Sequence, residues 1–213
     1  MRRIALFLAA GTLTLAAGAQ PQEHRMTALE AGVVEELNHL RSDPAGYAAY
    51  LEELLPAFDG KVLHTPHGLL ETHEGARAVR EAIRALQATA PMGPLKRSAG
   101  LSAAAWDLAR DQGASGATGH VGKDGSSASD RAGRHGRWDG KLSENVSYSA
   151  YAEVSAREVV IQLLVDDGVR DRGHRANMLD PDIRVVGVAC APHPQFAVVC
   201  VMDHARAYEE GGS

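Results

Sequence analysis

Cysteine, aromatic rings, surplus positive charge and long apolar runs are all in short supply in this chain. Two cysteines, Cys190 and Cys200, allow at most one intrachain disulfide. Aromatic residues make up 5% of the sequence, and neither Trp106 nor Trp138 sits in an aromatic cluster, so both read as packing residues rather than a ligand platform. Acids outnumber bases by 27 to 22 and no basic stripe compensates, which removes the electrostatic footing of nucleic-acid binding. Beyond the first residues no apolar run is long enough to cross a bilayer. No internal repeat is evident. The short ligand intervals of HExxH and zinc-finger sites are missing. So is any Ser-His-Asp or Cys-His constellation: Ser126 and Ser127 lie in a polar loop with no nucleophile elbow.

What is present begins with Arg2 and Arg3, an apolar run from Ile4 to about Ala17, and the small residues Ala17-Gly18-Ala19. That order predicts a cleaved export signal over residues 1–19. An uncleaved anchor is the alternative, but the run is short and is broken at Gly11, Thr12 and Thr14. Cleavage removes two arginines and no acid, taking the formal charge from −5 to −7. The predicted product is secreted or periplasmic, in an oxidising compartment, with no transmembrane segment after cleavage.

Residues 20–26 read as a loose leader. Thr27 then precedes Leu29, Val33, Val34, Leu37 and Leu40 at helical spacing and reads as an N-cap. Asp43-Pro44 restarts a helix carrying Tyr47, Tyr50, Leu51, Leu54 and Leu55. Residues 56–70 show weak periodicity and are expected to be a loop, with His64 and His67 at the surface. From Glu74 to about Ala88 an amphipathic helix turns Ala78, Val79, Ala82, Ile83 and Leu86 inward, and Pro91 and Pro94 follow it. Ser98 caps another helix with Leu101, Ala104, Ala105 and Leu108 on one face.

Residues 115–141, rich in Gly, Ser and Asp, are expected to form a long loop, and a loop of roughly 25 residues in a compact domain commonly carries function. SENVSYS reads as a strand, and residues from Glu153 to about Asp166 as a helix with Val159, Val160, Leu163 and Leu164 inward. Two β-branched runs, IRVVGVACA and FAVVCVMDH, flank the turn signal Pro192 to Gln195. A hairpin centred near Gln195 sets Cys190 opposite Cys200, which predicts a disulfide; two buried thiols are the alternative. Residues 209–213 read as a polar tail.

Gly119-His120 and Gly173-His174 sit in similar settings, with Glu144 between them in sequence. Two imidazoles and a carboxylate can hold zinc or act as acid and base. Composition and spacing alone do not bring them together, and favour unrelated surface or capping histidines. In the loop, Asp124, Ser126 and Asp130 could ligate calcium, but the distal glutamate of an EF-hand is absent and a turn at Asp124-Gly125 explains the same residues. Arg131 and Arg175 are expected to anchor the segments that bear the two histidines.

Four stretches in order, LNHLRSDPAGYAAYL, GHVGKDGSSASDR, SENVSY and GHRANMLDP with the following VVGVACA, resemble the CAP superfamily of cysteine-rich secretory proteins, antigen 5 and plant pathogenesis-related proteins, in its secreted bacterial branch. The resemblance covers about residues 30 to 205, within a domain placed at 27–208. It implies an α+β fold: a three-layer α-β-α sandwich with a small antiparallel sheet between helical layers. It also implies a cleft lined by His120, Glu144, His174 and a fourth acid. Family members usually supply a glutamate there; this chain offers Asp166 or Asp167, each shorter by one methylene, and Asp166 is preferred. The implied roles are Zn2+ ligation by His120 and His174, with Glu144 accepting from a ring N–H. The chain is then a binding module for a small molecule, lipid or protein. The alternative is a metal- or acid/base-assisted, peptidase-like hydrolase with Glu144 and His174 as candidate catalytic residues.

Overall fold

The structure is a computed structural model describing residues 26–211. The export signal, nearly all of the leader and the last two residues of the tail lie outside the described residues.

The first helix, α1 (Ala28–Ser42), starts at Thr27, whose side chain accepts from the Glu30 amide while the Glu30 carboxylate accepts from the Thr27 amide. Such a reciprocal cap stabilises a helix by about 1 kcal/mol. Asp43 then ends α1 and caps α2 (Pro44–Glu52), as the Asp-Pro pair predicts. The segment expected to be a loop is instead ordered. After a short 3-10 turn it forms a three-stranded antiparallel sheet of β1 (Phe58–Asp59), β2 (Val62–Thr65) and β3 (Gly68–Glu71). All four positions of β3 are exposed, so the strand carries no alternation for a sequence to display. His64 and His67 are exposed as expected, with His67 hydrogen-bonded to Glu158 at 2.9 Å.

Helix α3 (Ala76–Gln87) buries all five residues assigned to its inner face. Two-residue β4 (Lys96–Arg97) leads to α4 (Ala99–Ser115), capped by Ser98 and stopped at Gly116, whose φ of 75° is in the left-handed region that glycine enters without steric cost. The long glycine-rich segment likewise differs from a loop. It contains α5 (Ala128–His135) and then enters β5 (Gly136–Ser149), so the strand expected at SENVSYS begins several residues earlier. Ser127 and Asp130 form a capping box that starts α5, and only Arg131 and Ala132 of the helix are buried, too few for an apolar stripe.

Helices α6 (Ala156–Val165) and α7 (Gly173–Met178) precede the hairpin of β6 (Val185–Pro192) and β7 (Val198–Glu210). Cys190 pairs with Cys200 in the register and the two sulfurs are bonded. Strand β7 continues through Glu209 and Glu210, into the stretch read as a tail, and the Glu210 carboxylate accepts from the Ala99 and Gly100 amides at the start of α4.

The larger sheet has the order β4-β6-β7-β5 and is antiparallel apart from edge strand β4, which runs parallel to β6. Alternation along the hairpin sorts the core into layers. Val186, Val188, Cys200 and Met202 pack with α1, α2, α3 and α6; Ala189, Ala191, Val199, Val201 and Ala205 face α4. This is the α-β-α sandwich.

Candidate binding cleft

His120 follows α4 on a short turn fixed at Gly119. The Gly119 amide donates to the Tyr148 hydroxyl, its carbonyl accepts from the Gln112 side chain, and the Tyr148 hydroxyl donates to Gln112. Arg131 of α5 donates to the His120 carbonyl and to the Ser126 carbonyl, so it anchors this segment as expected. The same guanidinium pairs with Oε2 of Glu144 on β5, and Oε1 of Glu144 bonds His120 Nδ1 at 2.9 Å. The imidazole side chain is 53% exposed while that of Glu144 is 3% exposed. The Glu144 hydrogen bond raises the His120 pKa above its usual value, against the opposing effect of burial.

His174 stands at the start of α7. Asp166 ends α6 in the left-handed region, at φ 57° and ψ 44°, and this turn aims its carboxylate forward. Oδ2 accepts from the His174 amide at 3.0 Å, and Oδ1 bonds His174 Nδ1 at 2.6 Å. The backbone conformation thus makes up the reach that an aspartate lacks against a glutamate. Asp167 points elsewhere, accepting from the His73 and Glu74 amides. Asn145 is fully buried beside Glu144, donates to the His174 carbonyl and accepts from Asn177, tying α7 to β5.

The two rings come together, with centroids 6.5 Å apart and planes 29° from parallel. Each Nδ1 is committed to a carboxylate, which leaves Nε2 of each ring as the nitrogen available to a ligand. A zinc–nitrogen bond of about 2.0–2.1 Å puts a ring centre about 3.2 Å from the ion. The observed separation is therefore at the outer limit of what one ion spans, and tetrahedral ligation needs the rings to close by about 1 Å. Among the described residues no three or more His, Cys, Asp or Glu side chains are grouped to hold a metal ion. The donor set fits an ion held by two nitrogens and solvent. The calcium candidates do not assemble: Asp124 pairs with Arg134 and accepts from the Ser126 amide, while Asp130 caps α5.

Sequence reasoning named Arg175 as an anchor of the His174 segment and missed Arg172. Arg172, itself at φ 52°, donates to both carboxylate oxygens of Glu74 and of Glu81 and to the carbonyls of Asp166 and Val169. Arg175 adds bonds to the Leu164 and Val165 carbonyls and to Glu81. No local signal links residues 74 and 81 to 172, since the contact exists only once α3 and the loop have packed. The Arg172 hydrogen bonds hold Glu74 and Glu81 down at about 2. Their folded-state values lie below the unfolded ones, so the stabilisation is complete above about pH 4.3 and is lost as pH falls toward 2. Amide exchange across residues 166–173 is expected to be unchanged between pH 6 and 5 and to lose protection by pH 2.5, after correction for intrinsic exchange. Protection that persists there would show that the loop does not depend on these pairs.

Comparison with known protein families finds one match. The model of the cysteine-rich secretory protein family, CAP, matches residues 34–203. No curated protein sequence matches the chain. Among solved structures, an extracellular protein containing an SCP domain from Bacillus anthracis is 16% identical at a TM-score of 0.41, covering 55% of this chain and 35% of its own. This chain thus spans about a third of that protein's length. An outer surface protein of Borrelia burgdorferi is 12% identical at a TM-score of 0.46, covering 83% of this chain and 94% of its own. A protein named NaASP2, solved with Zn2+, is 16% identical at a TM-score of 0.46 and covers 90% of each chain. Among the described residues no helix is long and apolar enough to cross a membrane.

Proposed function

The chain belongs to the cysteine-rich secretory protein (CAP) family, and from that premise we propose that it is an exported binding module whose cleft takes a divalent metal ion through Nε2 of His120 and of His174. The observation that carries this reading is the matched pair of carboxylates: Glu144 on His120 Nδ1 and Asp166 on His174 Nδ1. Each carboxylate accepts the Nδ1 proton of a neutral ring and fixes that tautomer, which leaves the Nε2 lone pair free for a ligand. When bound, the ion supplies a Lewis-acidic centre with open positions for a donor atom of a partner or small molecule. Two protein ligands make a weak site, and protons compete for both rings, so affinity falls on acidification.

Binding is favoured over the hydrolase alternative by the state of Glu144. One of its oxygens holds His120 and the other the buried Arg131, and its side chain is 3% exposed, so it is engaged behind the imidazole and not presented to the cleft as a general base. Export rests on the signal-like sequence of residues 1–19. Zinc titration by calorimetry at pH 7.5 tests the reading. The mature protein is expected to give a one-site isotherm, His174→Ala to lose it, and Asp166→Asn to weaken it by about 10–100-fold. Equal heats from the parent and His174→Ala would remove this histidine as a ligand. For hydrolysis, turnover of a peptide and ester panel that falls on Glu144→Gln would restore the alternative.

A further inference from the structure

Directly behind Glu144 the sheet buries a second carboxyl group that the cleft does not explain. Asp203 on β7 pairs with Glu144 on β5 in the register, and on its other side with Gly187 of β6, which has no side chain. Cross-strand partners project from the same face. Asp203 lies between Val201 and Ala205, on the face packed by Leu101, Ala104, Ala105 and Leu108 of α4, none of which carries charge. It is completely buried, and neither of its oxygens accepts a hydrogen bond from a described residue. The charged groups facing it are Glu144 from β5 and Arg131 from α5, with the Tyr208 hydroxyl farther along β7.

Charge counting in this pocket is decisive. Arg131 supplies one positive charge, and its two terminal nitrogens are committed to Glu144 and two backbone carbonyls, its Nε–H having no partner among the described residues. A second carboxylate beside Glu144 would be an uncompensated buried charge without a single donor, a state costing several kcal/mol. A neutral acid has an O–H to give, and Glu144 is the acceptor it faces. Burial, with the neighbouring Glu144 charge, pushes the Asp203 carboxyl well above the ordinary aspartate range.

We propose that Asp203 is held as the neutral acid and donates its O–H to Glu144, making it the positioning residue for the carboxylate that orients His120. Glu144 then has three donors, His120, Arg131 and Asp203, and cannot rotate without breaking one of them. The protonation of Asp203 stands by itself; its bearing on the cleft rests on the binding reading above, and the metal-free measurements below separate the two.

The mature protein carrying carboxyl-13C aspartate is expected to show one aspartate carbon at the protonated position at pH 7, absent in Asp203→Asn. Denaturation of the two proteins gives a second readout. A carboxyl whose folded pKa is raised binds its proton in the folded state while the unfolded chain releases it above about pH 3.9. Wild-type stability therefore declines relative to Asp203→Asn as pH rises, by about tenfold in folding equilibrium constant per pH unit, or about a hundredfold from pH 5 to 7. The third readout is the low-field proton resonance of His120 Nδ1–H: Asp203→Asn, which keeps a donor to Glu144, is expected to retain it, and Asp203→Ala to shift or lose it. An ionised Asp203 carbon at pH 7 or a pH-independent stability difference overturns the protonation. An unmoved His120 resonance in Asp203→Ala overturns the positioning role. The labelled wild-type spectrum decides the first point even where a variant does not fold. Failure of zinc to bind leaves all three readouts intact and bears only on the cleft reading.

Discussion

Arg131→Met is expected to lower the unfolding free energy by about 3–5 kcal/mol, which is the cost of stranding one partner of a buried ion pair. Methionine matches much of the arginine's volume, so little of that loss comes from a cavity. The guanidinium is essentially inaccessible and serves Glu144, the His120 carbonyl and the Ser126 carbonyl together. Removing it leaves the Glu144 carboxylate in a dry pocket with no positive charge held against it. Glu144→Gln in the Arg131→Met background removes the stranded charge and is expected to recover part of the stability, a coupling that a double-mutant cycle measures directly. Denaturant unfolding of the single and double variants checks both statements. A loss below 1 kcal/mol would mean that Glu144 is not held by this pair.

The contrast between Arg131 and its surroundings shows which kinds of information a sequence carries. Local rules placed Thr27, Asp43 and Ser98 as caps, because capping is settled within four residues. Periodicity placed the inner faces of α3, α4 and α6 for the same reason, and the hairpin followed from two β-branched runs around one turn. Its symmetry about Gln195 gave the Cys190–Cys200 bridge. The failures lie where the stabilising partner is distant or where there is no apolar face. Strand β3 is exposed throughout and α5 buries two residues, so neither writes a pattern. In the cleft, the four motifs named His120, Glu144, Asp166 and His174, and the rings do meet. Arg172, Glu74 and Glu81 stayed hidden because their contact is a product of packing. Asp203 stayed hidden because one acid at the end of an apolar strand gives no sign, before the register is known, that a second carboxyl lies across from it.

Gly187→Ala is expected to be more damaging than its single methyl suggests. A Cβ at Gly187 would lie 2.1 Å from the Leu101 carbonyl carbon and 2.2 Å from the Ser102 nitrogen. Both are backbone atoms in the first turns of α4, so no side-chain rotation relieves the overlap. Either the helix lifts from the sheet or β6 is pushed out of register with β7, and overpacking of that kind costs about 3 kcal/mol or more. The backbone of Gly187 is not itself in the left-handed region, so the whole effect is contact rather than strain in φ. The consequences extend to the cleft. Helix α4 leads through Gly116 into the turn that presents His120, and it walls the pocket of Asp203. A lifted α4 admits water to that pocket, which relieves the burial of Asp203 and lets it ionise nearer to its ordinary range. Gly187→Ala is therefore expected to lower the melting temperature by roughly 6–12 °C for a domain of this size. It should also weaken amide protection through α4 while leaving α3 unchanged, and flatten the rise of the Asp203→Asn advantage with pH. An unchanged melting temperature would show that α4 does not rest on the backbone of β6.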